Sequence, residues 1–172
     1  MKYLYLIFFL LSTIYANNSF KNDFDMKKFS GLWYEIARIE NSFQTSCVAS
    51  SVEYDLQEDN TYQVFNRCFD SSLDGKLIEY TGSAKKIEEN QNIKLQMRYF
   101  YIFTSEYEVS YLKDYQVAVV TNDDYSNLWI MSRTPNIQKE ELEKILNNLK
   151  NKMDTSKLVF KKLDPKGRYK WK

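Results

Sequence analysis

The chain has 172 residues with 24 Lys+Arg against 23 Asp+Glu, which is one domain's worth of sequence at near-neutral charge and excludes a broad nucleic-acid footprint. It contains no histidine, so His-based triads, His general bases and His-containing metal sites are excluded. Gly (4) and Pro (2) are sparse while Tyr (14) and Phe (11) are abundant, a composition that suits strands burying large side chains on one face.

Residues 1–16 read as a secretory signal peptide, with Lys2 ahead of an apolar run that is too short to span a bilayer and ends at Ala16. The mature domain is then 17–172, secreted or extracytoplasmic. Asn17-Asn18-Ser19 matches the glycosylation sequon beside the expected cut. Phe24, Met26 and Phe29 fall in an entry segment suited to a short helical turn closing one end of a barrel.

Gly31-Leu32-Trp33 opens the first strand, and simple alternation places Trp33, Glu35, Ala37 and Ile39 on one face and Tyr34, Ile36 and Arg38 on the other. Glu35 then points to the cavity side, where pairing with a buried cation is the preferred reading over contact with a ligand. Residues 49–56 and 61–69 alternate around the turn Glu58-Asp59-Asn60 and form a hairpin. Counting outward from that turn brings Cys47 and Cys68 nearly opposite one another, and in an exported chain this pair is expected as a disulfide.

Further strands are expected over 76–86, with Gly82 as a close-approach position, over 93–99, around Tyr107 to Tyr111, over 115–120 and over 128–132. Sequential strands joined by short turns define an up-and-down barrel. A helix is expected at about 137–150, with Leu142, Ile145, Leu146, Leu149 and Met153 on one stripe, followed by a ninth strand at about 157–163. The tail interleaves Lys166, Arg168, Lys170 and Lys172 with Tyr169 and Trp171, a pattern compatible with contact to an anionic membrane surface.

Three regions carry a family resemblance. Gly31-x-Trp33, Asn122-Asp123-Asp124-Tyr125 and Leu128-Trp129-Ile130-Met131-Ser132-Arg133-Thr134-Pro135 resemble, in order and spacing, the signature regions of the lipocalin family. Trp33 to Arg38 and Trp129 to Pro135 look most like the branch of bacterial outer-membrane lipocalins and apolipoprotein D. Two departures stand out: the lipid-anchor cysteine of the bacterial members is missing, and Asn122 stands where an acidic residue is frequent.

The resemblance implies an all-β, eight-stranded antiparallel up-and-down barrel at about 31–133, with the C-terminal helix packed outside and a short ninth strand. It also implies a structural role for Gly31, Trp33 and Arg133, the arginine crossing the tryptophan ring to plug the closed end. Finally, it implies a cavity holding one small hydrophobic ligand, a fatty acid, lysophospholipid or similar lipid. Alternation places Val52, Tyr54, Val64, Leu95, Met97, Tyr99, Val109 and Tyr111 as its lining, although the same residues would also suit a filled core. No catalytic residue, metal or other cofactor is expected, and no nucleic-acid partner. Two alternatives stand beside the carrier: a protein- or receptor-binding lipocalin with no small ligand, and an enzyme of the same fold acting on a lipophilic substrate.

Overall fold

A computed structural model describes residues 24–89, 92–100 and 102–164. The expected signal peptide, Asn17 and the basic tail beyond Pro165 lie outside the described residues. A helical turn α1 (Met26–Phe29) is followed by β1 (Gly31–Ile39), β2 (Cys47–Leu56), β3 (Thr61–Asp70), β4 (Leu77–Glu89), β5 (Asn92–Tyr99), β6 (Phe103–Lys113), β7 (Val117–Thr121) and β8 (Leu128–Ser132). Each pairs antiparallel with the next, and β1 pairs with both β8 and β2, so the eight strands close on themselves and leave no free edge. Helix α2 (Lys139–Leu149) and β9 (Leu158–Val159) follow, with β9 lying against β1 outside the barrel.

The β2–β3 turn shows why the chain reverses where it does. Asn60 adopts a left-handed φ of 60°, which asparagine tolerates, and its N–H donates to the Gln57 carbonyl at 3.1 Å. At the entry, Asp25 caps α1 by accepting from the Lys28 N–H at 3.1 Å.

Apolar clusters form on both sides of the strand wall. Inside the barrel, Trp33, Val52, Tyr54, Tyr62, Val64, Ala84, Leu95, Met97, Val109 and Val120 pack with Phe29. Outside, Ile145 and Leu149 of α2 bury against Ile36, Ala37, Val119, Leu128 and Ile130. Their i, i+4 spacing puts both on the helix face toward the sheet, with Leu142, Leu146 and Met153 half-buried beside them.

Three irregularities of the strands shift the alternation read from sequence. In β1 the register against β8 slips between Glu35 and Ala37. The extra residue reverses the parity beyond it, so Ala37 and Ile39 pack under α2 and Arg38 turns inward, the opposite of simple alternation. In β6 the register against β7 slips between Val109 and Tyr111. Tyr111 is thereby carried to the outer face, where its hydroxyl donates to Glu141 of α2, and Leu112 takes the inward place. In β2 the slip lies between Val48 and Ser51, with Ala49 at a φ of 50°.

Several element ends also differ from the sequence reading. Strand β4 continues to Glu89, and β6 begins at Phe103, earlier than the strand expected around Tyr107. The helix starts at Lys139 rather than about residue 137, because the Thr134 hydroxyl donates to the Asn136 carbonyl at 2.8 Å and bends that segment into a turn. The ninth strand shortens to Leu158–Val159, since β2 occupies the edge of β1 from Gly31 to Tyr34 and leaves β9 only Arg38 and Ile39. Residues 155–157 form a 3-10 turn before it, capped by Asp154.

Candidate functional site: the barrel lumen

The floor of the lumen is closed by side chains that satisfy nearly all of their polar atoms. The Arg133 guanidinium lies 3.8 Å from the centre of the Trp33 ring. Its Nε donates to the Tyr115 carbonyl at 3.1 Å, Nη1 to Leu32 at 2.9 Å, and Nη2 to the carbonyls of Lys28, Phe29 and Ser30 at 2.8–2.9 Å. The Trp33 indole N–H donates to the Phe29 carbonyl at 2.9 Å. Gly31 permits this close approach: its φ is +96°, and a Cβ there would stand 3.3 Å from Nη1 of Arg133. The arginine thus crosses the tryptophan ring, as in the arrangement the family resemblance implies.

Above the floor, Phe29, Tyr54 and Tyr62 form an aromatic layer with ring centres 5.1–6.4 Å apart. The Tyr62 hydroxyl donates to the Met26 carbonyl at 2.6 Å, tying the layer to the entry turn. Val64, Ala84 and Leu95 fill the level above and are fully buried. Toward the mouth, Tyr99, Tyr107 and Trp129 are only half-buried, and Tyr107 meets Trp129 edge-on at 5.2 Å. Gly82 makes room for Tyr99, because a Cβ there would fall 2.6 Å from two of its ring carbons. Asn66 donates its amide to the Tyr99 hydroxyl at 2.8 Å.

A buried charged pair lies on the other wall of the mouth. Nη1 of Arg38 donates to Glu35 at 2.6 Å, and Nη2 donates to Glu40 at 3.1 Å and to the Gln44 carbonyl at 2.9 Å. The Arg38 Nε is buried without a hydrogen-bond partner. Gln44, from the loop at 41–46, reaches in over this pair: its amide donates to Glu35 at 2.6 Å, and its oxygen accepts from the Trp129 indole N–H at 2.9 Å. Burial raises the Glu35 carboxyl above its ordinary range, an effect that Arg38 and Gln44 only partly offset. Glu35 therefore meets a buried cation, the reading preferred from sequence. The rim around the mouth exposes Phe43, Phe100, Ile102 and Phe103.

Of the residues read from sequence as lining, Val52, Tyr54, Val64, Leu95, Met97 and Val109 lie in the inner core and Tyr99 packs against it. Tyr111 does not; it stands outside, under α2, as the β6 slip dictates. Sequence reasoning missed Asn66 and the inward turn of Arg38. Tyr107 was legible, being two residues before Val109 on the same face. Cys47 and Cys68 are joined as a disulfide beside the mouth, with Cα atoms 5.3 Å apart. Cys47 aligns with Asp70 in the ladder, and the β2 slip separates it from a direct facing position.

Comparison with known proteins agrees with this geometry. The model of the lipocalin-like domain matches residues 24–162. The outer membrane lipoprotein Blc of Vibrio cholerae is 30% identical over 142 residues, covering 81% of this chain and 82% of that protein. Apolipoprotein D of Rattus norvegicus is 30% identical over 156 residues, covering 82% and 78% respectively. Among solved structures, lobster apocrustacyanin A1 superposes with a TM-score of 0.65 at 18% identity, covering 83% of this chain and 82% of that one, a likeness of fold. The chain belongs to the lipocalin family, whose members bind small hydrophobic ligands in such barrels.

Proposed function

We propose that the protein is a secreted carrier that holds one elongated apolar molecule, a fatty acid, lysophospholipid or similar lipid, in the upper half of the barrel. The observation that carries this reading is the gradient along the lumen: a packed floor, then a level at which Tyr99, Tyr107 and Trp129 are still half-open beneath a rim of exposed Phe43, Phe100, Ile102 and Phe103. An apolar chain entering there gains affinity by leaving water, at roughly 25 cal/mol per Å² of apolar surface removed. Met97, Val109 and Tyr99 are the proposed upper contacts, with Val52, Tyr54, Val64 and Leu95 closing the space below.

No bond-breaking step is needed for this role, and both cysteines are consumed by the disulfide, which leaves no thiol nucleophile among the described residues. The disulfide also supports an oxidising, extracytoplasmic location. The test is uptake of a fluorescent fatty acid by Met97→Trp and Leu95→Trp. Lost uptake with an unchanged far-ultraviolet dichroism spectrum and a cooperative melt supports the lumen as the site; unchanged uptake in both folded variants overturns it.

A further inference from the structure

We propose that the lumen selects for an uncharged oxygen on its ligand, a hydroxyl, ester or protonated carboxyl, received by the hydroxyls of Tyr54, Tyr99 and Tyr107 and the amide of Asn66. The inference rests on the carrier reading and narrows it to one class of polar group.

The first support is convergence. Tyr54 comes from β2, Asn66 from β3, Tyr99 from β5 and Tyr107 from β6, so four strands contribute polar groups to the lumen between the aromatic layer above the floor and the mouth. Asn66 and Tyr99 are hydrogen-bonded at 2.8 Å, and the phenols of Tyr54, Tyr99 and Tyr107 are close enough to act on one another electrostatically. Their places are fixed by packing: Tyr99 fills the space left by Gly82, Tyr107 rests edge-on against Trp129, and Tyr54 lies on Phe29. A phenol both donates and accepts, so this group serves an alcohol and a carbonyl equally well.

The second support is the charge balance of the mouth. Glu35 and Arg38 are bound to each other at 2.6 Å and bring no net charge to the lumen. Both guanidinium Nη atoms are already engaged by Glu35, Glu40 and the Gln44 carbonyl. Lys86, aligned with the inward Leu95, is paired with Glu88 at 2.8 Å. A ligand carboxylate would therefore enter a low-dielectric space next to Glu35, where Arg38 keeps one unpartnered donor, its Nε, but has its charge already balanced by Glu35; a buried anion that must share its cation with another carboxylate is disfavoured. Burial pushes the Tyr99 phenol up to about 12 and the Tyr54 phenol higher still, so both keep their protons to donate at neutral pH. A fatty acid then enters as the protonated acid, and a lysophospholipid seats its ester carbonyl at the phenols with its charged head in water.

The experiment measures binding of four ten-carbon compounds, decanol, methyl decanoate, decanoate and decane, by displacement of the uncharged fluorescent probe N-phenyl-1-naphthylamine at pH 8 and pH 5. At pH 8 decanol and methyl decanoate are expected to bind at least tenfold more tightly than decanoate, and decanoate is expected to gain on lowering the pH to 5. Tyr99→Phe and Tyr107→Phe, which remove one oxygen each and keep the ring, should cut the advantage of decanol over decane about fivefold. Decanoate equal to decanol at pH 8, or a decanol advantage untouched in both variants, overturns the inference while leaving the carrier intact. Failure of the uncharged probe and of all four compounds to bind the wild-type protein overturns the carrier reading and this one with it.

Discussion

An arginine stands at each end of the barrel, and the two are used in opposite ways. At the floor, Arg133 stacks on an indole and gives its donors to five backbone carbonyls, so a single positive charge neutralises many partial negative ones and, among the described residues, pairs with no carboxylate. At the mouth, Arg38 is buried against a carboxylate, and the pair is roofed by one glutamine from a loop. The floor arrangement joins α1, β1, the β6–β7 turn and the end of β8 into one unit. The mouth arrangement hangs on Gln44, whose loop exposes Phe43 to solvent. Carbonyls spread over several segments make a rigid closure, whereas a charge pair under a loop makes one that opens locally.

The strongest way to break this contrast is at the floor. Arg133→Ala should cost about 4 kcal/mol or more, because it removes the ring stack and leaves several half-buried carbonyls unpaired. Denaturant unfolding monitored by tryptophan fluorescence reads this directly, and a loss below about 1 kcal/mol would show that the floor is not a closure at all. At the mouth, Arg38→Met should cost about 3 kcal/mol, since Glu35 stays buried without its cation. Replacing Glu35 and Arg38 together by Gln and Met should cost less than Arg38→Met alone, and a larger cost in the double variant would contradict the pairing.

The disulfide beside the mouth spans a sequence separation of 21 residues, and Cys47→Ala with Cys68→Ala should lower stability by about 3 kcal/mol in the chain-entropy account. That loss should appear equally in the melting of the floor, because it acts through the unfolded chain. Gln44→Ala should cost only about 1 kcal/mol globally while speeding amide exchange within 41–46 by several-fold. Equal exchange in the variant and the wild type would mean that the glutamine does not hold the loop.

The smallest effect is one of pH. The Glu35 carboxyl is raised in the folded state by burial, so at neutral pH its ionised form opposes folding. That opposition is present above the folded value and disappears as the pH falls through it toward the ordinary carboxylate value of 4.5. The stability of Glu35→Gln minus that of the wild type should therefore shrink as the pH is lowered from 7 to 4. A difference that grows over the same range would place Glu35 among the stabilising, ionised carboxylates. On the other side of the wall Glu141 behaves oppositely: burial opposes its ionisation, but hydrogen bonds from Lys113 and Tyr111 outweigh it and hold its carboxyl below the usual range.

By itself the sequence determined the order of the strands, the outer helix, the cysteine pair and the apolar half of the lumen. These follow from local alternation, turn residues and helical spacing, which are properties of neighbouring residues. Val52, Tyr54, Val64, Leu95, Met97 and Val109 were legible for this reason, since no slip intervenes between each and the nearest turn that fixes its register. Tyr111, Ala37 and Arg38 were not. Each lies beyond a one-residue slip, and whether a strand bulges is decided by the strand across from it: β8 against β1, β7 against β6. A single extra residue reverses every side chain after it, so only the closed sheet could turn Tyr111 out to Glu141 and bring Arg38 in to Glu35.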